Sequence, residues 1–146
     1  MRRSKEFPAA AVLVGVLSMC VSSVNAQSNP PDTERLNSQM QKAAEKLGLP
    51  MALEGFPDRR YDDDGNLASR SIPGTVLKDP KAAAEQAIRM VGDGEIVAMS
   101  GKRLKVKVHT LCVHGDEATG VVVARGIRKA LEDADISVVP LPDMKL

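Results

Sequence analysis

Thr110-Leu111-Cys112-Val113-His114-Gly115-Asp116 is a short apolar run that ends in His-Gly-Asp. Side chains alternate along a strand, so Thr110, Cys112 and His114 share one face and Leu111 and Val113 the other. Gly115 allows a sharp turn and leaves Asp116 just past the strand end. Upstream, Leu53-Glu54-Gly55-Phe56-Pro57-Asp58-Arg59-Arg60-Tyr61 repeats the design: an apolar run that ends in acid, arginine and tyrosine. Strand ends of this kind are where α/β proteins place their polar sites. The two stretches predict an α/β protein with Glu54 and His114 near the same end of adjacent or near-adjacent parallel strands.

Working outward, Asp32 is placed to cap a helix with Leu36, Met40, Ala43, Ala44 and Leu47 on one face, ended by Gly48 and Pro50. A strand over Pro50 to Phe56 follows. From Pro57 to Gly74 no periodicity survives, and a loop of that length in a compact domain is functional or disordered. Asp62-Asp63-Asp64-Gly65 is not a calcium loop, because no register supplies both the central Gly and the terminal Glu. Asp64-Gly65-Asn66 predicts a tight turn. Asp79-Pro80 starts a second helix with Ala84, Ala87, Ile88 and Val91 buried and Gly92 at its end. Glu95 to Met99 and Leu104 to Val108 form a hairpin around Ser100-Gly101-Lys102. Its Arg103, Lys105 and Lys107 are a solvated face, since no aromatic residue interleaves with them. A third helix runs from about Ala118 to Ala134, without one clean apolar stripe, and Ile136 to Val139 makes a last strand.

The N-terminus reads as an export signal. Arg2, Arg3 and Lys5 precede an apolar run from Pro8 to Val21, and Val24-Asn25-Ala26 supplies small residues for cleavage. The run is too short for a stable membrane span, and Leu17-Ser18-Met19-Cys20 is a poorer match to a lipoprotein signal. Residues 1–26 are thus assigned to the signal, 27–32 to a linker and 33–146 to one α/β domain. The expected location is exported or periplasmic if the segment is a signal, and cytoplasmic if the start is mis-assigned. Cleavage after Ala26 would leave 120 of 146 residues and take the formal charge from +1 to −1. That near-neutral balance excludes a nucleic acid recruited by bulk charge. Cys112 alone would remain, so no intrachain disulfide is possible.

Three ordered blocks carry a resemblance: Glu54-Gly55-Phe56-x-Asp58-Arg59-Arg60-Tyr61, Ser69-Arg70-Ser71-x-Pro73-Gly74, and Cys112-Val113-His114-Gly115-Asp116. They resemble the C-terminal half of the LamB/YcsF family, over roughly Lys42 to Val139. The resemblance implies a partial, distorted (β/α) barrel, the C-terminal half of a seven-stranded type. Its implied activity is ATP-dependent opening of the 5-oxoproline lactam to glutamate, together with other 5-oxoprolinase subunits. The family's opening strand, with its Asp-Leu-Asn-Cys-Asp-type motif, has no counterpart here, and a closed barrel takes roughly 250 residues. The expectation is therefore a C-terminal portion joined to an export sequence, self-associating through uncovered sheet and inactive alone. The alternative is a non-catalytic, exported or degenerate remnant of the family.

Lactam opening needs an acid/base near the amide nitrogen, positive groups near phosphate or carboxylate, and donors for a developing oxyanion. His114 is the proton-transfer candidate, because imidazole ordinarily titrates near neutrality. Asp116 is placed to orient it or position a water, and Glu54 to face the same cavity. His114 and Asp116 serve equally well as a loop-capping pair. Arg59, Arg60, Tyr61 and Arg70 are the candidates for substrate or phosphate binding; for Arg59 and Arg60 the structural alternative is salt bridges to Asp58 and Asp62 to Asp64. Cys112 reads as a buried small hydrophobe. No metal site is expected, since His109 and His114 lack a third ligand. ATP is implied by the resemblance alone.

Overall fold

The computed structural model describes residues 40–144; the export segment, the linker and the Asp32 cap lie outside them. Strand β1 (Glu54–Gly55) pairs in parallel with β4 (Thr110–Leu111), with Glu54 opposite Thr110 and Gly55 opposite Leu111. The ladder is extended by His109 and Thr110 N–H donating to the Leu53 carbonyl and by Cys112 N–H donating to Gly55. Strands β2 (Glu95–Val97) and β3 (Arg103–Lys105) form the expected hairpin, with Ile96 opposite Leu104 and Gly101 turning at φ +93°. Arg103 and Lys105 both pair with Glu95, so the basic residues of this hairpin sit on a solvated face. The fold is mixed α/β, and no closed barrel forms among the described residues.

Helix α1 (Pro80–Ile88) begins as its sequence dictates: the Asp79 carboxylate accepts from Lys81 and Ala82 N–H, and Pro80 occupies the first turn. It does not stop at Gly92. A wider turn, Arg89–Asp93, continues the rod until Gly94 adopts φ +64° and ends it. Helix α2 (Gly120–Asp133) corrects the expectation of an ill-defined stripe. Gly120, Val123, Ile127 and Leu131 are buried at helical spacing, while Val121 and Val122 face solvent. The two helices pack on each other and cover one side of the β1–β4 pair, where Leu111 and Val113 join Ala83, Ala87, Met90, Ile127 and Leu131 in the core. Gly126 lets them approach, since a Cβ there would stand 3.0 Å from Pro80 Cβ.

Three further expectations change. Ile136 to Val139 forms no ladder; Ile136 is buried as the chain leaves α2, and a short 3-10 turn, Leu141–Asp143, follows. The helical segment at 40–46 closes at Gly48 in a Schellman turn, Leu49 N–H bonding Ala44 and Gly48 N–H bonding Glu45. Its apolar residues do not enter the core: Met40 and Leu47 are 70% and 72% exposed. Finally, the segment from Pro57 to Gly74, read as functional or disordered, is not bare loop: antiparallel bridges join Arg59 to Val76 and Tyr61 to Leu67. The turn at Gly65 forms as expected, Asp62 Oδ1 accepting from Asp64 and Asn66 N–H.

The His109 ring ties the two parallel strands at their entry. Its Nδ1 accepts the Leu53 N–H at 2.9 Å, so the lone pair must stay unprotonated. Burial, and then Lys107, hold the His109 pKa below the ordinary 6.5. A depressed histidine contributes stability that is complete above the unfolded pKa and lost as pH falls through the folded one. The Tm is therefore expected to drop on acidification below 6.5, and more steeply than in His109→Gln. Parallel Tm-against-pH curves for the two proteins would refute this.

Candidate active site

The parallel register fixes the site. With Glu54 beside Thr110, four residues further on Asp58 comes beside His114. Asp58 is 4% exposed, and its carboxylate accepts twice from His114: the backbone N–H at 2.8 Å, and Nδ1 at 2.9 Å. A buried carboxylate against Nδ1 places the ring proton there and leaves Nε2 as the free base. The Phe56 ring stacks on the imidazole, centroids 5.6 Å apart.

The loop carrying Asp58 is held from behind by α1. Gln86, buried, directs Nε2 at the carbonyls of Phe56, Pro57 and Arg59, at 3.3, 3.0 and 2.6 Å. Leu77 N–H donates to the Asp58 carbonyl and Arg60 N–H to that of Thr75. The His114 loop is set by Gly120: a Cβ there would stand 2.7 Å from the His114 carbonyl oxygen. Any side chain at 120 would push that loop away.

The predicted site residues divide into those the fold brings together and those it separates. Asp116 does not orient His114, as Asp58 does that. It reaches Arg70 instead, Oδ2 to Nη1 at 2.5 Å, and this partner draws its pKa down. Arg59 is buried near the same group; burial and then Arg70 draw its pKa down, against the opposing pull of Asp58, Tyr61 and Asp116. It forms no ion pair with Asp58 or with Asp62 to Asp64. Arg60 lies half-buried, and its side chain joins none of these contacts. The Tyr61 hydroxyl is committed to the backbone, accepting Phe56 N–H at 2.8 Å, and burial pushes its pKa up to about 12. Glu54 is exposed two residues before Phe56 and acts on Cys112 and Tyr61 only through its field. Burial raises the Cys112 thiol, followed by Glu54 and Asp58, which leaves it a poor nucleophile.

Sequence reasoning misses Asp58 and Gln86 as site residues. The signal for Asp58 is present, because an offset of 56 aligns Glu54 with Thr110 and equally Asp58 with His114.

A cavity of about 10 Å³ touches Asp58, His114, Thr119 and Gly120. It holds one water at most, too little for a substrate, while the His114 side chain itself is 24% exposed. The larger cavity, about 240 Å³, lies at the other end of the strands beside Leu53 and His109. Chemistry in α/β proteins sits at the carboxyl ends of strands, and the Asp58–His114 pair is there. Among the described residues no group of three metal-ligating side chains stands together, and no helix is long and apolar enough to cross a membrane.

The LamB/YcsF family model matches residues 22–146. A 5-oxoprolinase subunit from Bradyrhizobium diazoefficiens is 51% identical over 104 residues, which are 71% of this chain and 41% of that protein. The corresponding 5-oxoprolinase subunit from Rhodopseudomonas palustris is 49% identical over the same shares. The crystal structure of a lactam utilization protein from Thermus thermophilus superposes with a TM-score of 0.59 at 44% identity, covering 67% of this chain and 38% of that one. The chain spans about two fifths of the length of the curated relatives it matches. With the strand-end motifs, the parallel pairing and a match over most of its residues in agreement, the chain belongs to the LamB/YcsF family.

Proposed function

We propose that this chain carries the acid–base part of a lactam-opening site, acting on 5-oxoproline as part of an ATP-dependent 5-oxoprolinase. The observation that carries the reading is the buried Asp58 carboxylate bound to His114 Nδ1. It leaves His114 Nε2 directed at substrate as a base. In the reaction, Nε2 takes a proton from the attacking water as oxygen bonds to the ring carbonyl carbon. The C–N bond then breaks, and the proton passes from Nε2 to the leaving nitrogen, which becomes the amine of glutamate. Asp58 stabilises the imidazolium formed between the two steps.

Activation of the ring carbonyl is the chemistry ATP supplies when bound. The described residues offer no metal-ligand group, and the sequence has no glycine-rich phosphate loop, so they do not fit a nucleotide cradle. No step is assigned through the nucleotide, and its binding is proposed for the partner subunits. The relatives are named as subunits of 5-oxoprolinase, which supports assembly with such partners. The competing reading, a remnant without activity, is favoured by the small size of the cavity beside His114, about 10 Å³.

The test replaces the matching region of the Bradyrhizobium protein with residues 40–144 of this chain and assays 5-oxoproline-dependent glutamate release with the partner subunits. Activity is expected, and His114→Ala should lower kcat by about 10²–10⁴-fold. A chimera that folds and assembles yet releases no glutamate would establish the remnant reading.

A further inference from the structure

Arg59 is a buried cation without a counter-ion. It is 6% exposed, and no described carboxylate lies within ion-pair distance. Its guanidinium makes one hydrogen bond, Nη2 to the Ala68 carbonyl at 2.7 Å, while the buried Nε has no partner. A charge removed from water is ordinarily paired, because desolvation costs several kcal/mol per ion. The adjacent Asp58 carboxylate is bound to His114. The strongest charge acting on Arg59 is another cation, Arg70. Arg70 is held by Asp116, but the pair is loosely seated, with side chains 42% and 58% exposed.

These groups describe a site, together with the chemistry it accepts. The Arg59 fork bonds the carbonyl of Ala68, two residues before Arg70, and the Arg70 fork, within reach of solvent, already carries a carboxylate. That carboxylate belongs to Asp116, a loop residue two positions after His114. The geometry points to a carboxylate-binding site formed by Arg59 and Arg70, in which Asp116 is the internal stand-in for the carboxylate of the cyclic amide substrate. The inference rests on the lactam reading for the identity of the ligand. Displacement of Asp116 would give Arg70 a bidentate partner, bring compensating charge to Arg59 and set the ring amide toward His114 Nε2.

The test titrates the full chain with four probes: 5-oxoproline, glutarate, 2-pyrrolidinone and inorganic phosphate, following binding by calorimetry. Glutarate has carboxylates and no lactam, and 2-pyrrolidinone the reverse. Binding of 5-oxoproline and glutarate is expected, weakened about tenfold or more by Arg70→Gln. Asp116→Asn, which frees Arg70, is expected to tighten both. Arg59→Lys keeps the charge and loses the fork, and should weaken both. If circular dichroism shows that variant unfolded, the two surface variants decide. Failure to bind either carboxylate, or binding of phosphate alone, overturns the site. So does carboxylate binding indifferent to Arg70→Gln, or loosened by Asp116→Asn. If 5-oxoproline and 2-pyrrolidinone bind equally and ignore Arg70→Gln, the carboxylate site falls and the lactam reading stands. If glutarate binding depends on Arg70 but the chimera releases no glutamate, the site stands and the lactam reading falls.

Discussion

Asp58→Asn is expected to lower kcat for lactam opening in the chimera by about 10²–10⁴-fold, with KM little changed. The substitution is nearly isosteric, and an amide oxygen can still accept the His114 backbone N–H that Asp58 accepts now. What it cannot supply is the negative charge and the second oxygen, Oδ1, 3.1 Å from Nδ1. An amide NH₂ in that place would oppose a proton on Nδ1 and favour the tautomer protonated at Nε2, so the base needed for water attack is weakened. Any imidazolium would also lack its counter-charge. Because the variant keeps the loop hydrogen bond, a melting curve close to that of the parent should accompany the loss of turnover, separating chemistry from folding. An unchanged kcat in the folded variant would remove the dyad from the mechanism.

The parts of the fold legible in the sequence are those with local causes. Asp79-Pro80 caps α1, Gly101 turns the hairpin and Gly65 closes the Asp62 turn, each through contacts a few residues apart. The alternation around Leu111 and Val113 identifies the core face of β4. Illegible features depend on tertiary packing. Val121 and Val122 obscure the stripe of α2, since nothing local says that they face solvent while Gly120 and Val123 turn inward, Gly120 against the His114 loop. The end of α1 moves from Gly92 to Gly94 because the chain widens into a π turn there. Ile136 has strand-like chemistry, but no neighbouring strand among the described residues offers it a ladder.

In the site, the residue types are readable and their partners are not. His114 stands out by its position at a strand end, yet sequence proximity pairs it with Asp116. A residue two positions away past a glycine turn points elsewhere, and Arg70 captures it across 46 residues. Asp58 reaches His114 across 56 residues, through a register that neither strand states alone. Tyr61 groups with the arginines as a polar neighbour in the sequence, but its hydroxyl turns back on Phe56.

Gln86→Leu is expected to destabilise the domain by about 2–4 kcal/mol, a fall in Tm of roughly 10 °C or more for a chain of this size. The side-chain volume is nearly conserved, so the core around Ala83, Ala87 and Met90 need not collapse. The loss is polar. The carbonyls of Phe56, Pro57 and Arg59 converge on one amide nitrogen, and leucine leaves them without that donor. Those carbonyls belong to the segment that aims Asp58 at His114, so turnover in the chimera should fall even at temperatures where the variant is folded. Gln86→Glu makes the sharper comparison. It keeps the shape but sets carboxylate oxygens against three carbonyls, and it should be worse than leucine unless the acid stays protonated. A Tm within experimental scatter of the parent for Gln86→Leu would mean that the two bridges, Arg59 to Val76 and Tyr61 to Leu67, suffice to hold the loop. The buried amide would then be incidental to the position of Asp58.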